Sequence, residues 1–121
     1  YEEHNTSDFI ATKLTEFNIE IHRGLGGTGI VGVIHGKDNG ASKRSLGIRA
    51  DIDALPMTEK TNLSYSSKND GKMHACGHDG HTTMLLGAAK YLAETKNFLG
   101  TVYCIFQPEE EGGNAGAKSM I

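Results

Sequence analysis

The sequence predicts an α/β fold, a three-layer sandwich in which helices cover both faces of a mixed sheet. Two segments carry apolar residues at helical spacing, and β-branched or alternating apolar segments lie between them. A third observation is the run 101–106, which is nearly all apolar, as in a strand at the centre of a sheet covered on both sides. With 121 residues, the chain is long enough for one core and too short for two.

The first predicted element is a surface helix over residues 7–17. Thr6 and Ser7 precede it as candidate cap residues. Its apolar positions lie on one stripe: Phe9, Ile10, Leu14 and Phe17. We therefore expect one buried face and one face in water.

Three strands are predicted next, over residues 19–21, 29–34 and 46–51, because these segments alternate or are rich in β-branched residues. The Gly- and Asn-containing loop 36–40 separates the last two. We expect these two strands to pair as a hairpin.

Residues 58–72 are polar and lack periodicity, which predicts a long connection of a functional or mobile kind. A second helix is predicted over residues 80–94, with a group of histidines in its first turn. The apolar strand 101–106 completes the set.

The composition points to a small-molecule partner. The net charge of −3 comes from interspersed signs, which argues against a nucleic-acid surface. No apolar run reaches the ~18 residues that cross a bilayer, and no signal peptide opens the chain, so we expect a cytoplasmic protein without a membrane partner. The two cysteines, Cys76 and Cys104, are expected to be reduced thiols or metal ligands.

The segment from Gly24 to Gly29 matches the glycine spacing of dinucleotide-binding loops. That motif requires a helix directly after the glycines, whereas residues 30–34 have the composition of a strand. We predict a flexible turn and no bound nucleotide cofactor.

A cluster of metal-binding side chains lies within eight residues: His74, Cys76, His78, Asp79 and His81. Thiolate and imidazole are good ligands for zinc and its first-row neighbours, and the two glycines between them permit a tight turn. The N-terminus of the following helix would also lower the pKa of the thiol. The alternative is a set of polar residues that cap a helix at the surface.

Carboxylates follow two of the predicted strands. Glu109, Glu110 and Glu111 come directly after the apolar strand, where α/β sheets present their ligands. One of them could bind a metal while its neighbour acts on water. Asp51 and Asp53 lie on one side of an earlier strand end, where they could orient a ligating imidazole, reach a metal themselves, or be ordinary polar residues.

These segments resemble the M20 metallopeptidase family, in its amidohydrolase branch of hippurate hydrolases, N-acyl-amino-acid amidohydrolases and auxin-conjugate hydrolases. The resemblance runs nearly end to end and is carried by four blocks in the family's order: HRGLGGTGIVGVIHG, GIRADIDALPMTE, MHACGHDGHTTMLLGAA and FQPEEEGGNAGAKSMI.

The resemblance implies that Cys76, His78 and Glu111 bind metal and that Glu110 is the general base. Many relatives have alanine where this chain has Glu109, and the alternative pair Glu109 and Glu110 would shift both roles by one residue. Asp51 and Asp53 are expected around the ligands. His81 is not a ligand in the family's pattern.

The resemblance also implies hydrolysis of N-acyl amino acids by metal-activated water, with two divalent ions per complete site drawn from Mn²⁺, Zn²⁺, Co²⁺ or Ni²⁺. Family members are about three times longer, so residues 1–121 are expected to be the N-terminal part of a catalytic domain. The smaller lid domain, which in the family serves substrate recognition and dimerisation, is expected to lie outside these residues, and the full-length protein is expected to be a homodimer. Three alternatives stay open: a non-catalytic metal-binding fragment, an aminopeptidase or deacetylase of the same superfamily, and a hydrolase that uses Cys76 as nucleophile.

Overall fold

A computed structural model describes residues 3–111, 113 and 115–121. Its elements follow the chain in this order: α1 (His4–Glu16), β1 (Glu20–Leu25), β2 (Gly29–His35), β3 (Ser45–Asp51), α2 (His78–Thr95), β4 (Thr101–Gln107) and α3 (Gly116–Ser119). The α/β class and the mixed sheet predicted from the sequence are confirmed. In the described ranges, no helix is long and apolar enough to cross a membrane.

The sheet has four strands in the order β1-β2-β4-β3. β1 and β2 pair antiparallel, as do β2 and β4, whereas β3 runs parallel to β4. The predicted hairpin between the second and third strands is therefore wrong, because β4 lies between them. The apolar side chains of β4 gain most burial at the centre of the sheet, and Cys104 and Phe106 are fully buried there.

The core lies between the sheet and helices α1 and α2. Ile10 and Leu14 of α1 and Leu85 of α2 belong to one buried cluster with Ile30 and Phe106 of the sheet. Since these strand residues share one face of the sheet, both helices form a single layer on that face. The four-residue α3 lies beside the turn between β1 and β2, where Met120 approaches Gly29.

Two helix starts differ from the prediction. α1 begins at His4, before the expected caps, and its first turn closes with a bond from the Ser7 amide to the Glu3 carbonyl. Ser7 is buried inside the helix and caps nothing. α2 begins at His78, two residues early, because Gly77 takes a left-handed conformation (φ 103°) and turns the chain into the helix.

The glycine-rich segment is the turn of the β1–β2 hairpin. Gly24, Gly26 and Gly27 all have positive φ, and β2 begins at Gly29. A strand follows the glycines, as predicted, so the helix that a dinucleotide site needs is not there.

Candidate metal and hydrolytic site

The site forms at the edge where the parallel strands β3 and β4 end. In the pairing of β3 with β4, Asp51 lies opposite Gln107, so the segments that follow the two strands leave the sheet side by side. The amide of Ile52 bonds to the Gln107 carbonyl and extends this pairing by one residue. α2 starts above the same edge, and the Thr82 hydroxyl donates to the Asp51 carbonyl at 3.1 Å.

The three predicted metal ligands converge on one point. One ligand atom each of Cys76, His78 and Glu111 lies within 4.8 Å of the others. His78 is buried, whereas Cys76 and Glu111 are exposed. The structure therefore brings together a thiol, an imidazole and a carboxylate that come from two segments more than thirty residues apart.

Asp53 fixes the position of two of these groups. Its Oδ1 accepts a hydrogen bond from His78 Nδ1 at 3.0 Å, and its Oδ2 accepts one from the Glu111 amide at 2.9 Å. The His78 Nδ1 also lies 3.1 Å from the Asp53 carbonyl oxygen. A buried carboxylate that orients a ligating imidazole in this way is typical of metal sites in proteins.

The hydrogen-bonding pattern of His78 leaves a lone pair in the site. Since both partners of Nδ1 are acceptors, Nδ1 carries the proton and Nε2 of the neutral ring is unprotonated. Nε2 faces three carboxylates, with Asp51 Oδ2 at 3.4 Å and oxygens of Glu110 and Glu111 at 3.7 Å each. A lone pair and three negative groups repel one another unless a cation lies between them, so this donor set fits a divalent metal.

The pKa shifts of His78 and Asp51 indicate a site that favours positive charge. Burial works to lower the pKa of His78, but the charge of Asp51 and the bonds to Asp53 outweigh it and raise the pKa. For Asp51, burial works to raise the pKa, but the hydrogen bond from His81 and the nearby His78 bring it below its usual value.

The thiol behaves differently from the sequence-based expectation. A hydrogen bond to Glu111 and the negative charge of that carboxylate raise the pKa of Cys76, whereas the helix N-terminus alone predicts a lower pKa. Without a cation, Cys76 is therefore protonated at neutral pH. In the described residues both cysteines are free thiols, Cys76 exposed and Cys104 buried.

The three consecutive glutamates differ in their contacts. Glu110 and Glu111 have carboxylate oxygens near His78 Nε2. Glu109 has a positive φ of 51° that turns the chain, and its amide donates to Glu3 Oε1 at the start of α1. The geometry thus separates Glu109 from the pair that faces the imidazole.

His81 belongs to the cluster predicted from the sequence, but no role in the site was assigned to it. His81 donates from Nδ1 to Asp51 Oδ1 at 2.7 Å, and its ring stacks on His78 with 5.7 Å between centroids. Asp51, His78 and His81 form a second group with metal-binding atoms close together. The signal in the sequence was the spacing of three residues between the two histidines, which places both on one helix face.

A polar cleft of about 1080 Å³ lies beside the site, between the start of α1 and the connection 58–72. Its lining includes Lys68, His74 and Asp79 but none of the three proposed ligands. His74 Nδ1 is buried and has no hydrogen-bond partner among the described residues.

The sequence profile of peptidase family M20/M25/M40 matches residues 47–121. The hippurate hydrolase of Campylobacter jejuni is 53% identical over 121 residues, which cover 100% of this chain and 30% of that protein. The N-acetyl-L-cysteine deacetylase of Bacillus subtilis is 48% identical over 121 residues, covering 99% of this chain and 28% of that protein. A crystal structure of a dinuclear metal-binding peptidase of family M20 from Bacillus subtilis superposes with a TM-score of 0.88 at 44% identity, covering 98% of this chain and 33% of that one. The chain thus spans about a third or less of the length of the proteins that it matches.

Proposed function

Since the chain belongs to peptidase family M20/M25/M40, we propose that its full-length protein hydrolyses the amide bond of N-acyl amino acids with water as the nucleophile. The observation that carries this proposal is the convergence of Cys76, His78 and Glu111 within 4.8 Å, with Glu110 beside them. The similarity to a hippurate hydrolase and to an N-acetyl-cysteine deacetylase supports an acylated amino acid as the substrate class.

Cys76 Sγ, His78 Nε2 and a Glu111 carboxylate oxygen would hold the cation, and Asp53 orients two of these ligands. A divalent ion there supplies the positive charge that lowers the pKa of water towards about 7 and polarises the amide carbonyl. The similarity to a dinuclear metal-binding peptidase supports two ions per complete site. The thiolate, imidazole and carboxylate ligands fit first-row divalent ions, and we propose Mn²⁺, Zn²⁺, Co²⁺ or Ni²⁺.

Glu110 is the proposed general base. Its side chain is 40% exposed and its Oε2 lies 3.7 Å from His78 Nε2, so its carboxylate borders both the ligands and solvent. The carboxylate takes a proton from water as the oxygen attacks the amide carbon. It then returns that proton to the departing amine nitrogen, which leaves an amino acid and a carboxylic acid.

Cys76 acts as a ligand in this proposal and not as a nucleophile. A nucleophilic cysteine needs an environment that lowers its pKa, and Glu111 raises the pKa of Cys76 instead. His78, whose imidazole lies within 4.8 Å of the Cys76 thiol, has its Nδ1 proton bound to Asp53 and its Nε2 among carboxylates.

The test is hydrolysis of hippurate and of N-acetyl amino acids by the full-length protein, with release of the free amino acid as the readout. Turnover should disappear with a chelator and return with Mn²⁺ or Zn²⁺. Glu110→Gln should keep the bound metal and lose about 10²- to 10⁴-fold in kcat, as expected when a general base is removed. Turnover by the chelated protein, or full activity of Glu110→Gln, would refute the proposal.

The same panel separates the close alternatives. Preference for N-acetyl over N-benzoyl substrates would indicate a deacetylase, as in the Bacillus relative. Cleavage of unacylated peptides would indicate an aminopeptidase. Metal binding without turnover on any of these substrates would indicate a non-catalytic metal-binding protein. The cytoplasmic location expected from the sequence pattern and the homodimer expected from the family resemblance stay predictions.

A further inference from the structure

The contact between His81 and Asp51 has no role in the reaction described above. The His81 side chain is 49% exposed and that of Asp51 is 10% exposed, and the two join at 2.7 Å. The other oxygen of Asp51, Oδ2, points to Nε2 of the buried His78 at 3.4 Å. One carboxylate therefore links an exposed histidine to the proposed ligand His78.

The protons fix the direction of each contact. An ionised carboxylate only accepts, so the His81 Nδ1 carries a proton and has no lone pair for a metal. The 3.4 Å contact at His78 is different, because Nε2 of the neutral ring has a lone pair and Asp51 Oδ2 has no proton to donate. This distance is also longer than the usual limit of about 3.2 Å for a hydrogen bond.

Two acceptor atoms at this separation suit a shared cation. Oxygen and nitrogen ligands lie about 2.0 to 2.2 Å from zinc, which places neighbouring ligands roughly 3 to 3.5 Å apart. The 3.4 Å between Asp51 Oδ2 and His78 Nε2 falls within that interval. The Asp51 main chain is anchored by the Thr82 hydroxyl on its carbonyl. Its carboxylate is held at Oδ1 by His81 at 2.7 Å, whereas the exposed Arg49 guanidinium lies farther away, 3.8 Å from Oδ2.

We propose that His81 is a positioning residue that turns Asp51 so that its Oδ2 becomes an additional ligand of the cation at His78. This inference rests on the cation site of the proposed function. It makes Asp51 a ligand and not only a neighbour of the ligands. It also gives His81 a role in metal affinity without direct coordination.

The test compares Zn²⁺ dissociation constants of the full-length protein, measured by competition with a chromogenic chelator. His81→Leu removes the donor, whereas His81→Asn keeps an N–H near the position of Nδ1. We expect Leu to weaken binding by about tenfold or more and Asn to stay within about threefold of the wild type. His22→Leu is the matched control, since His22 is another exposed histidine paired with a carboxylate, at 3.1 Å from Glu20 on the far edge strand β1.

A double-mutant cycle shows whether His81 acts through Asp51. In an Asp51→Asn background, His81→Leu should cause no further loss of Zn²⁺ affinity, because the carboxylate that it orients is gone. Equal and additive losses from the two substitutions would overturn the inference. So would a lower number of ions per chain in both His81 variants, which would make His81 a ligand.

The outcomes for this inference and for the proposed function are distinct. If the wild type binds Zn²⁺ and His81→Leu binds it as tightly, the role of His81 is refuted while the cation site stands. If the wild type binds no Zn²⁺, Mn²⁺, Co²⁺ or Ni²⁺, the cation site is refuted and the role of His81 with it. Unfolding midpoints of the metal-free variants detect a purely structural effect, which would change those midpoints and leave Zn²⁺ affinity unchanged.

Discussion

Asp53 joins two of the proposed ligands through its two carboxylate oxygens, one bound to the His78 ring and the other to the Glu111 amide. An asparagine in its place offers only one oxygen. Its NH₂ group would then face either the Nδ1 proton of His78 or the amide proton of Glu111. Two donors would meet at one of these contacts, so the second ligand would lose its orientation.

We predict that Asp53→Asn weakens Zn²⁺ binding about 10- to 100-fold and costs about 1 to 3 kcal/mol of unfolding free energy, because one buried donor loses its acceptor. Zn²⁺ competition and urea unfolding measure the two effects. Asp70→Asn is the control, since Asp70 is an exposed aspartate in the polar connection. An Asp53→Asn protein with wild-type affinity would show that the carboxylate does not orient the ligands.

The two thiols should differ in reactivity, since Cys76 is exposed and Cys104 is fully buried. Glu111 raises the pKa of Cys76 above its ordinary value of 9.0, and burial raises that of Cys104 to about 11. In the metal-free protein we expect alkylating reagents to modify Cys76 alone, at a rate that still rises above pH 9. Bound Zn²⁺ should protect Cys76 from this alkylation. Mass spectrometry of the labelled protein measures both sites, and Cys76→Ala is the control. Equal labelling of Cys76 with and without Zn²⁺ would contradict its role as a ligand.

The sequence indicated most of the residues of the site but not their contacts. Residue types and spacing indicated the cluster over residues 74–81, and the family resemblance singled out Cys76 and His78 within it. The hydrogen bond between His81 and Asp51 joins residues that are 30 positions apart, and it depends on how α2 packs against β3. The sequence placed Asp51 and Asp53 together around the ligands. In the structure Asp53 accepts from His78 Nδ1 and the Glu111 amide, whereas Asp51 accepts from His81 and faces His78 Nε2.

At the scale of elements, the connection between β2 and β3 is held by one aspartate. Asp38 accepts hydrogen bonds from the amides of Gly40, Ser42 and Gly100. The last of these immediately precedes β4, so Asp38 joins the two connections at the edge opposite the site. These bonds, that from Ser42 foremost, lower the pKa of Asp38 below its ordinary value of 3.8.

We predict that Asp38→Asn lowers the urea midpoint at neutral pH. Because the pKa of Asp38 is lower in the folded protein, its charge stabilises the fold above pH 3.8 and that contribution is lost as the pH falls through the folded value. The difference between variant and wild type should therefore shrink in acid. Urea unfolding from pH 7 down to pH 3 measures it, with Asp70→Asn as the control. A difference that stays constant over this range would show that the charge of Asp38 has no part in the effect.

Local sequence patterns predicted the existence and type of most elements. The pairing of strands distant in the chain was predicted wrongly. The alternating or β-branched segments are strands and the two amphipathic segments are helices, as expected. The pairing of β3 with β4 was hidden, since 49 residues separate Asp51 from Thr101 and sequence proximity favoured β2 as the partner. The bond from the Gly100 amide to Asp38, directly before β4, likewise has no signal in the local sequence.

At the scale of the whole molecule, the proposed cation connects parts of the chain that the core does not hold directly. Helices α1 and α2 pack on one face of the sheet, while the ligands lie beyond the strand ends, at the start of α2 and after β4. Binding at that point would cross-link the two segments. A ligand that binds only the folded state stabilises it, by about 2.7 kcal/mol at a concentration 100 times its dissociation constant.

The three consecutive glutamates should respond differently to this stabilisation, and that difference tests which of them binds the ion. For a full-length protein of about the length of its relatives, we expect such Zn²⁺ saturation to raise Tm by roughly 3 °C. Glu111→Gln should lose much of the rise, because it removes a charged ligand, whereas Glu110→Gln should keep it while losing turnover. Glu109→Gln should keep both the rise and the turnover, since Glu109 lines the neighbouring cleft while the carboxylates that face His78 Nε2 are those of Glu110 and Glu111. Differential scanning fluorimetry with and without a chelator measures the Zn²⁺-dependent rise in Tm.

One outcome would reassign the residues. If Glu110→Gln loses the Zn²⁺-dependent rise in Tm and Glu111→Gln keeps it, the ligand is Glu110 and the general base is Glu109.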